Sequence, residues 1–403
     1  MSSFSTNKRV VSGMRASGRL HLGHYHGVLK NWVDLQHHYD CYFFVADLHG
    51  LTTRYDEPGF IETVLWDMVI DWLACGINPS LSKLFIQSWV PQHAELNLLL
   101  SMITPLGWLE RVPTYKDQQE KLNDKDLSTY GFLGYPLLQS ADVLLYKADY
   151  VPVGEDQVAH IELTREIARR FNFMYGKEAN FEILLQEAIK KMGKKNGKFY
   201  QELLKQFQQN GSHESLNMGR ALIGNQPNLS FGDRERLLGH LEGTGKIILP
   251  EPQALLTANS KMPGTDGQKM SKSYNNTITL RDTADQVTTK INTMPTDPAR
   301  IKRTDPGEPE KCPVWQWHKV YSNDEVKNWV QIGCRSAGIG CLDCKRPVID
   351  AVQAELLPIQ AAIAEYEDDQ ASVKRIIAEG SEVAREEAMK TMNEVVEAMG
   401  LDY

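Results

Sequence analysis

The chain has 403 residues, long enough for two or three domains, and its 42% hydrophobic content can fill a sizeable core. A net charge of −8 argues against nucleic-acid binding driven by overall charge, yet the excess is local: residues 347–403 hold 4 Lys/Arg against 13 Asp/Glu, whereas residues 300–346 hold 9 against 6. With no apolar stretch of membrane-spanning length and no signal-peptide core in MSSFSTNKRVVSGM, the expectation is a cytoplasmic protein without membrane contact, whose six cysteines are thiols or metal ligands rather than disulfides.

The first 175 residues alternate between two periods. KRVVSGM (8–14), DCYFFVADL (40–48) and SKLFIQS (82–88) are short β-branched or aromatic runs that read as strands. Between them, HGVLKNWVDLQHH (26–38) and FIETVLWDMVIDWLACG (60–76) repeat apolar residues every three or four positions and read as helices. A later strand, ADYVPVG (148–154), leads into the helix EDQVAHIELTREIARRF (155–171). This order, with continuous apolar strands, predicts an α/β fold: a Rossmann-like parallel sheet forming a nucleotide-binding domain, begun by residues 1–175 and covered by helices on both faces. After Phe173 the composition turns to Lys, Gln, Asn and Gly with helical periodicity, which predicts a helical insertion over 176–245. GKIILPEPQALL (245–256) returns to strand character, so that 246–284 completes the first domain. From about Ala284 the pattern is helical, broken by KRTDPGEPEKCP (302–313), and predicts an all-helical C-terminal domain over 285–403.

Two short motifs carry chemistry. GRLHLGHYHG (18–27) follows the first strand and opens the first helix, where unpaired backbone N–H groups favour an anion. His21 and His24 are three apart and share a face, and Gly23 between them lets a ligand approach the backbone. Imidazoles in that position can donate to a phosphate, and no third ligand at metal spacing lies nearby. GTDGQKMSKSYNN (264–276) places Lys269 and Lys272 in a loop with Gly264 and Gly267 as candidate hinges, and two ammonium groups on a mobile loop suit a departing pyrophosphate.

H-x-G-H after the first strand, combined with K-M-S-K-S after the last, resembles the class I aminoacyl-tRNA synthetases. The resemblance narrows to the tryptophanyl-tRNA synthetases through FFVADLHGLTT, QSWVPQHAEL, SMITPLGWLERVPTYKDQ and GYPLLQSADVLLYKADYVPVGEDQVAHIELTREIARRFN, and covers nearly the whole chain outside 176–245. It implies a tryptophan–tRNA ligase that uses ATP with Mg²⁺ to make tryptophanyl-adenylate and then charges tRNA(Trp). By this resemblance His21, His24, Lys269 and Lys272 are catalytic. Arg15, Ala16 (where the family often has proline), Ser17, Gly23, Gly154, Glu155, Asp156, Met270, Ser271 and Ser273 join them in binding ATP. Asp142 accepts the indole N–H of L-tryptophan, with Tyr135, Gln139, Gln157 and His49 nearby. An indole N–H only donates, so a buried carboxylate would discriminate against phenylalanine. A homodimer, formed near Leu106–Tyr115, is also implied. Three alternatives stay open: a tyrosyl-tRNA synthetase, a nucleotidylyltransferase that uses no tRNA, and a silent paralogue that binds tryptophan or RNA.

Cys312, Cys334, Cys341 and Cys344 are spaced C-x21-C-x6-C-x2-C, and metal binding is the reading their clustering favours. Structural zinc (Zn²⁺) usually takes two short Cys pairs, and here only Cys341–Cys344 has that spacing. A 4Fe-4S iron–sulfur cluster tolerates irregular spacing, and a subset of tryptophanyl-tRNA synthetases resembles this pattern. The cysteines coincide with a basic segment containing Arg300, Lys302, Arg303, Lys311, Arg335, Lys345 and Arg346. This suggests an anticodon surface on which Trp315 and Trp317 are candidate stacking residues, with core packing as their other reading.

Overall fold

A computed structural model describes residues 8–112, 129–176, 180–210, 212–243, 246–256 and 262–403. In chain order, β1 (Arg9–Arg15) is followed by α1 (Leu22–His24), a π-helical turn (Tyr25–Leu29) and α2 (Lys30–Leu35). Then come β2 (Asp40–Ala46), α3 (Asp47–Arg54), α4 (Pro58–Ala74), β3 (Ser82–Ile86), α5 (Gln92–Ser101) and α6 (Leu106–Glu110). Next are α7 (Tyr130–Leu133), α8 (Tyr135–Leu145), β4 (Tyr150–Val153) and α9 (Val158–Tyr175). The helices α10 (Phe181–Lys191), α11 (Gly193–Asn210), α12 (His213–Gly224) and α13 (Phe231–Leu241) precede β5 (Gln253–Leu256). The rest is helical: α14 (Ala284–Asn292), α15 (Pro313–Tyr321), α16 (Asp324–Arg335), α17 (Cys341–Asp368) and α18 (Gln370–Ala398). The strands form one parallel sheet in the order β3-β2-β1-β4-β5, as the strand–helix alternation predicts. Among the described residues no helix is long and apolar enough to cross a membrane.

The chain divides into two compact units. The first contains Gly13–Ile86 and Leu256–Ser381. In it β2 pairs with β3 over Cys41–Val45, and its apolar run is buried almost throughout. Strands buried on both faces need such runs. Trp32 stacks on Phe43 at 4.2 Å between ring centroids, with Trp72 edge-on to Trp32 at 5.1 Å. Helices α14 to α17 belong to this unit, with Thr283 and Gln286 forming a capping box that fixes the start of α14.

The second unit contains Lys8–Ser12, Gln87–Leu255 and Glu382–Tyr403. The predicted insertion is a four-helix assembly, α10 to α13, with its own core of Leu185, Met192, Tyr200, Ile223, Leu237 and Leu241. The buried Tyr200 hydroxyl donates to the Leu237 carbonyl at 2.8 Å. One predicted strand is shorter than its apolar pattern. GKIILPEPQALL forms sheet only at Gln253–Leu256, because Pro250 and Pro252 lack N–H donors for a ladder. Buried Asn172 serves the preceding residues instead, accepting from the N–H groups of Ile248 and Leu249 and donating to the Leu249 carbonyl.

Within the first unit the π-helical turn just beyond His24 was not legible in the sequence, and a partly buried polar cluster secures it. Glu355 on α17 accepts from Lys30 at 2.7 Å and from the Tyr321 hydroxyl at 2.8 Å, and bonds His26 at 2.9 Å. These donors, His26 first, hold the Glu355 carboxyl down at about 2 against the opposing effect of burial. Its stabilisation is therefore complete above the ordinary carboxyl range and is lost as pH falls from about 4.5 towards 2. Glu355→Ala should cost about 2–4 kcal/mol in urea unfolding at neutral pH and less at acid pH; a loss under about 0.5 kcal/mol would contradict this role.

Candidate active site

In the first unit His21 is the N-cap of α1, and the sequence makes the cap from its own side chains. The Gly23 N–H donates to His21 Nδ1 at 3.1 Å, and the His21 N–H donates to His24 Nδ1 at 3.3 Å. Both rings thus spend their Nδ1 lone pair on backbone, which puts the proton of each neutral imidazole on Nε2. Burial foremost, with the Lys272 charge, brings the His21 imidazole down to about 4. Burial, then His21 and Lys272, lowers His24 well below its usual value. At neutral pH the pair presents two Nε2–H donors and no charge. A Cβ on Gly23 would lie 2.9 Å from the His21 ring, so no larger residue fits this turn unchanged.

Backbone contacts join the lysine loop to the histidine turn. The Leu22 N–H donates to the Ile278 carbonyl at 2.9 Å, and the Leu280 N–H donates to the Leu20 carbonyl at 3.1 Å. Met270 is buried with its sulfur 3.3 Å from the Gly23 nitrogen. Lys272 opens a short 3-10 turn, and its ammonium is buried with no hydrogen-bond partner among the described residues. Burial foremost, then the charge of Arg54, lowers it to about 8, while Asp71 opposes the shift. A Cβ on Gly18, whose φ is +111°, would meet Lys272 Nζ at 3.3 Å, so the ammonium lies beside that backbone.

The loop is more braced than its glycines suggest. Asn276, buried and missed by sequence reasoning, accepts from the Ser271 N–H and donates to Asp266 and to the Lys269 carbonyl. Gly264 packs against Asn276, where a Cβ would come within 2.2 Å, and Gly267 supplies a left-handed φ of +84°; each serves the turn rather than a hinge. The side chain of Lys269 is exposed, unlike that of Lys272. Of the remaining predicted residues here, Arg15 donates to Thr53 at 2.7 Å, Ala16 is buried and Ser17 is exposed. Ser273 lies in the 3-10 turn, and His49 is buried on α3 at the carboxyl end of β2.

The second unit gathers the other predicted residues. Tyr135, Gln139 and Asp142 lie at i, i+4 and i+7 of α8 and share a face. Asp142 is 2% exposed, and its Oδ1 accepts from Gln87 Nε2 at 2.7 Å and lies 2.7 Å from His93 Nδ1. His93 Nε2 in turn lies 2.8 Å from the Tyr146 hydroxyl. Gln139 is held by buried His160 at 2.6 Å, and the Tyr135 and His160 rings are 5.6 Å apart. Gln87, His93, Tyr146 and His160 were not singled out in the sequence, although QSWVPQHAEL contains two of them. At the carboxyl end of β4, Gly154 and Glu155 are exposed, and Glu155–Gln157 (with Asp156 between) form a 3-10 turn leading into α9. Carboxyl ends of parallel strands are where such sheets bind ligands.

The four cysteines come from three helix boundaries of the first unit. Cys312 caps α15, Cys334 lies in the last turn of α16, and Cys341 and Cys344 are in the first turn of α17. Cys334 lies 3.7 Å from the Arg300 guanidinium, and Cys344 lies 3.4 Å from His318. Burial, then the other three cysteines, pushes Cys344 up to about 12. Among the described residues no group of three or more His, Cys, Asp or Glu stands at the spacing of a metal site. Trp315 and Trp317 are buried, which agrees with the core-packing reading rather than with base stacking, and Trp317 donates to the Gly264 carbonyl. Arg300 and Lys345 are also buried rather than on a basic surface; Lys345 donates to the Asn292 and Met294 carbonyls.

Comparison with known proteins assigns these features to a family. The family described as tRNA synthetases class I (W and Y) matches residues 5–209 and 230–356. The match runs well into the helical segment that sequence reading had set apart from residue 176, and only 210–229 interrupts it. A tryptophan–tRNA ligase of Ralstonia nicotianae is 62% identical over 396 residues, covering 98% of this chain and 99% of the relative. Another, of Thermotoga maritima, is 43% identical over 397 residues, covering 98% and 100%. The crystal structure of tryptophanyl-tRNA synthetase from Campylobacter jejuni complexed with ADP and tryptophan superposes with a TM-score of 0.71 at 27% identity, covering 98% of this chain and all of that one. The chain belongs to the class I tRNA synthetases for tryptophan and tyrosine, and within them to the tryptophan–tRNA ligases.

Proposed function

We propose that the chain activates L-tryptophan with ATP and transfers it to tRNA(Trp), and the observation that carries the chemistry is the buried ammonium of Lys272, without a hydrogen-bond partner among the described residues, beside two neutral imidazoles. A cation withdrawn from water needs an anionic partner, and a triphosphate supplies one. A tryptophan carboxylate oxygen attacks the α-phosphorus, the bond to the β-phosphate bridging oxygen breaks, and pyrophosphate leaves with the bonding pair. The Nε2–H groups of His21 and His24 donate to the phosphate oxygens as charge moves onto them, and Lys272 and Lys269 neutralise the pyrophosphate. Mg²⁺, brought in with the nucleotide as part of the substrate, would offset the charge of the phosphates. The terminal 2′-hydroxyl of tRNA then attacks the acyl carbonyl, AMP departs, and the hydroxyl proton is released.

Substrate selection rests on Asp142, a buried carboxylate that can only accept, as an indole N–H requires. In the second unit Tyr135, Gln139 and Gln157 are assigned to tryptophan binding with it, and in the first unit His49 is given the same role. The nucleotide-binding role is assigned to Arg15, Ala16, Ser17, Gly23, Met270, Ser271 and Ser273 in the first unit, and separately to Gly154, Glu155 and Asp156 in the second. Residues 1–175 and 246–284 act as the activating domain, 176–245 as a helical insertion in it, and 285–403 as the anticodon-binding domain, in a cytoplasmic enzyme. Exposed Leu98, Met102 and Leu106 support a homodimer face near the predicted one, whose 113–115 end lies outside the described residues.

The cysteines are proposed as ligands of a 4Fe-4S cluster, zinc being the alternative. Support comes from the gathering of four thiols on three helix ends, close enough that burial and then their charges raise Cys344, and from the Arg300 guanidinium at Cys334, which favours a thiolate there. A bound cluster would tie these helix ends together. Trp329, 41% exposed on α16, is a better candidate for stacking on an anticodon base than the buried tryptophans. The exposed basic residues of the 300–346 segment largely have acidic partners: Arg303 with Asp343, Lys311 with Glu308, Arg335 with Glu310, Arg346 with Asp350.

ATP–pyrophosphate exchange with tryptophan, tyrosine and no amino acid tests the function. Exchange with tryptophan alone is expected, whereas exchange with tyrosine would reassign Asp142 to a phenol. Lys272→Ala should slow exchange on the order of 10²–10³-fold while tryptophan affinity in equilibrium titration holds; an equal loss of affinity would mark the lysine as structural. Anaerobically purified protein should hold roughly four irons and four sulfides per chain, lost in Cys344→Ser, and roughly one zinc instead would favour the alternative.

A further inference from the structure

We infer that His93, Gln87 and Tyr146 are positioning residues that set the tryptophan specificity of Asp142, by holding its carboxylate in one orientation and one hydrogen-bonding sense. The inference rests on Asp142 being the indole acceptor. Its starting point is geometric. Asp142 and Tyr146 lie four residues apart, at the end of α8, and the His93 ring from α5 bridges them with its two nitrogens, Nδ1 to the carboxylate and Nε2 to the phenol. Both His93 and Tyr146 are fully buried, so the bridge forms out of reach of water.

The bridge has a direction. A carboxylate cannot donate, so His93 Nδ1 must carry the proton that it shares with Asp142. In a neutral ring that leaves Nε2 as an acceptor, and the Tyr146 hydroxyl is positioned to donate to it at 2.8 Å. The other tautomer would set the Nδ1 lone pair against the carboxylate oxygen across 2.7 Å. Tyr146 therefore selects the tautomer that lets His93 orient Asp142. It acts through His93 and need not touch the substrate.

Gln87 strengthens the same constraint from a third element. Its amide nitrogen donates to the oxygen that His93 holds, at 2.7 Å. Its amide oxygen is buried with no hydrogen-bond partner among the described residues. Flipping the amide would bring two oxygens to 2.7 Å, so the contact with Asp142 decides the orientation at the expense of an unsatisfied carbonyl. Two donors on one oxygen fix the rotation of the carboxylate about its side chain. An arriving indole N–H then meets an acceptor that need not reorganise, and a substrate without that N–H gains nothing from it.

The test compares the KM values of tryptophan and of L-benzothienylalanine, in which sulfur replaces the indole N–H, by pyrophosphate exchange with the full-length chain. His93→Leu should raise the tryptophan KM on the order of 10–100-fold, with the benzothienyl KM, the ATP KM and kcat all within about threefold. Tyr146→Phe should raise the tryptophan KM by a smaller factor in the same selective way. His93→Asn, which restores an N–H near the Nδ1 position, should recover most of the loss. Parallel losses for both amino acids, or an ATP KM that moves with them, would reduce the cluster to ordinary core packing and overturn the inference. Asp142→Asn separates the two levels of the argument. If it raises the tryptophan KM and the His93 and Tyr146 variants do not, this inference fails alone; if it leaves the tryptophan KM unmoved, the reading of Asp142 fails beneath it.

Discussion

The Lys272 ammonium is kept from water beside the Gly18 backbone, with no hydrogen-bond partner among the described residues, and much of the first unit follows from that constraint. Burial of an unpaired charge is unfavourable, and here it brings the lysine down to about 8. Nearby histidines carrying positive charge would worsen the position. Instead both rings are neutral, because burial disfavours their charged forms and the backbone occupies their Nδ1 lone pairs. The site is thus arranged for a ligand that brings several negative charges, with donors already aimed and one cation unspent.

Asp142 in the second unit shows the opposite use of a buried charge. Its carboxylate receives donors from Gln87 and His93 before any ligand arrives. An unspent cation favours tight attraction to any polyanion, whereas a satisfied and oriented carboxylate favours discrimination between similar side chains. The two kinds of task in the reaction, stabilising a leaving group and selecting an amino acid, call for these two different electrostatic conditions.

How far the sequence could be read depended on how local each feature is. Histidines three apart at a helix start, and Tyr135, Gln139 and Asp142 at helical spacing on α8, are visible in one stretch of chain. The tautomers of His21 and His24 are not, since they depend on which backbone N–H each ring accepts. His93 and Gln87 precede Asp142 by 49 and 55 residues, so no spacing rule links them to it. Charge counts over 300–346 misled for a related reason. Composition cannot distinguish exposed Arg335 from Arg300, which folds inward against Cys334, or from Lys345, which satisfies two helix-end carbonyls. The apolar run before β5 satisfied the strand pattern but not the hydrogen-bond requirement, because two prolines interrupt its donors.

The most direct test of the central claim is proton exchange on nucleotide binding. Calorimetric titration of Mg²⁺–ATP at about pH 8.5, in buffers of different ionisation enthalpy, reports the protons taken up. At that pH the free lysine, at about 8, is largely deprotonated, and phosphates beside it raise its affinity for a proton. The account predicts net proton uptake in the native chain, falling towards zero near neutral pH and absent in Lys272→Arg, whose guanidinium stays charged throughout. No uptake in the native chain, or equal uptake in Lys272→Arg, would contradict it.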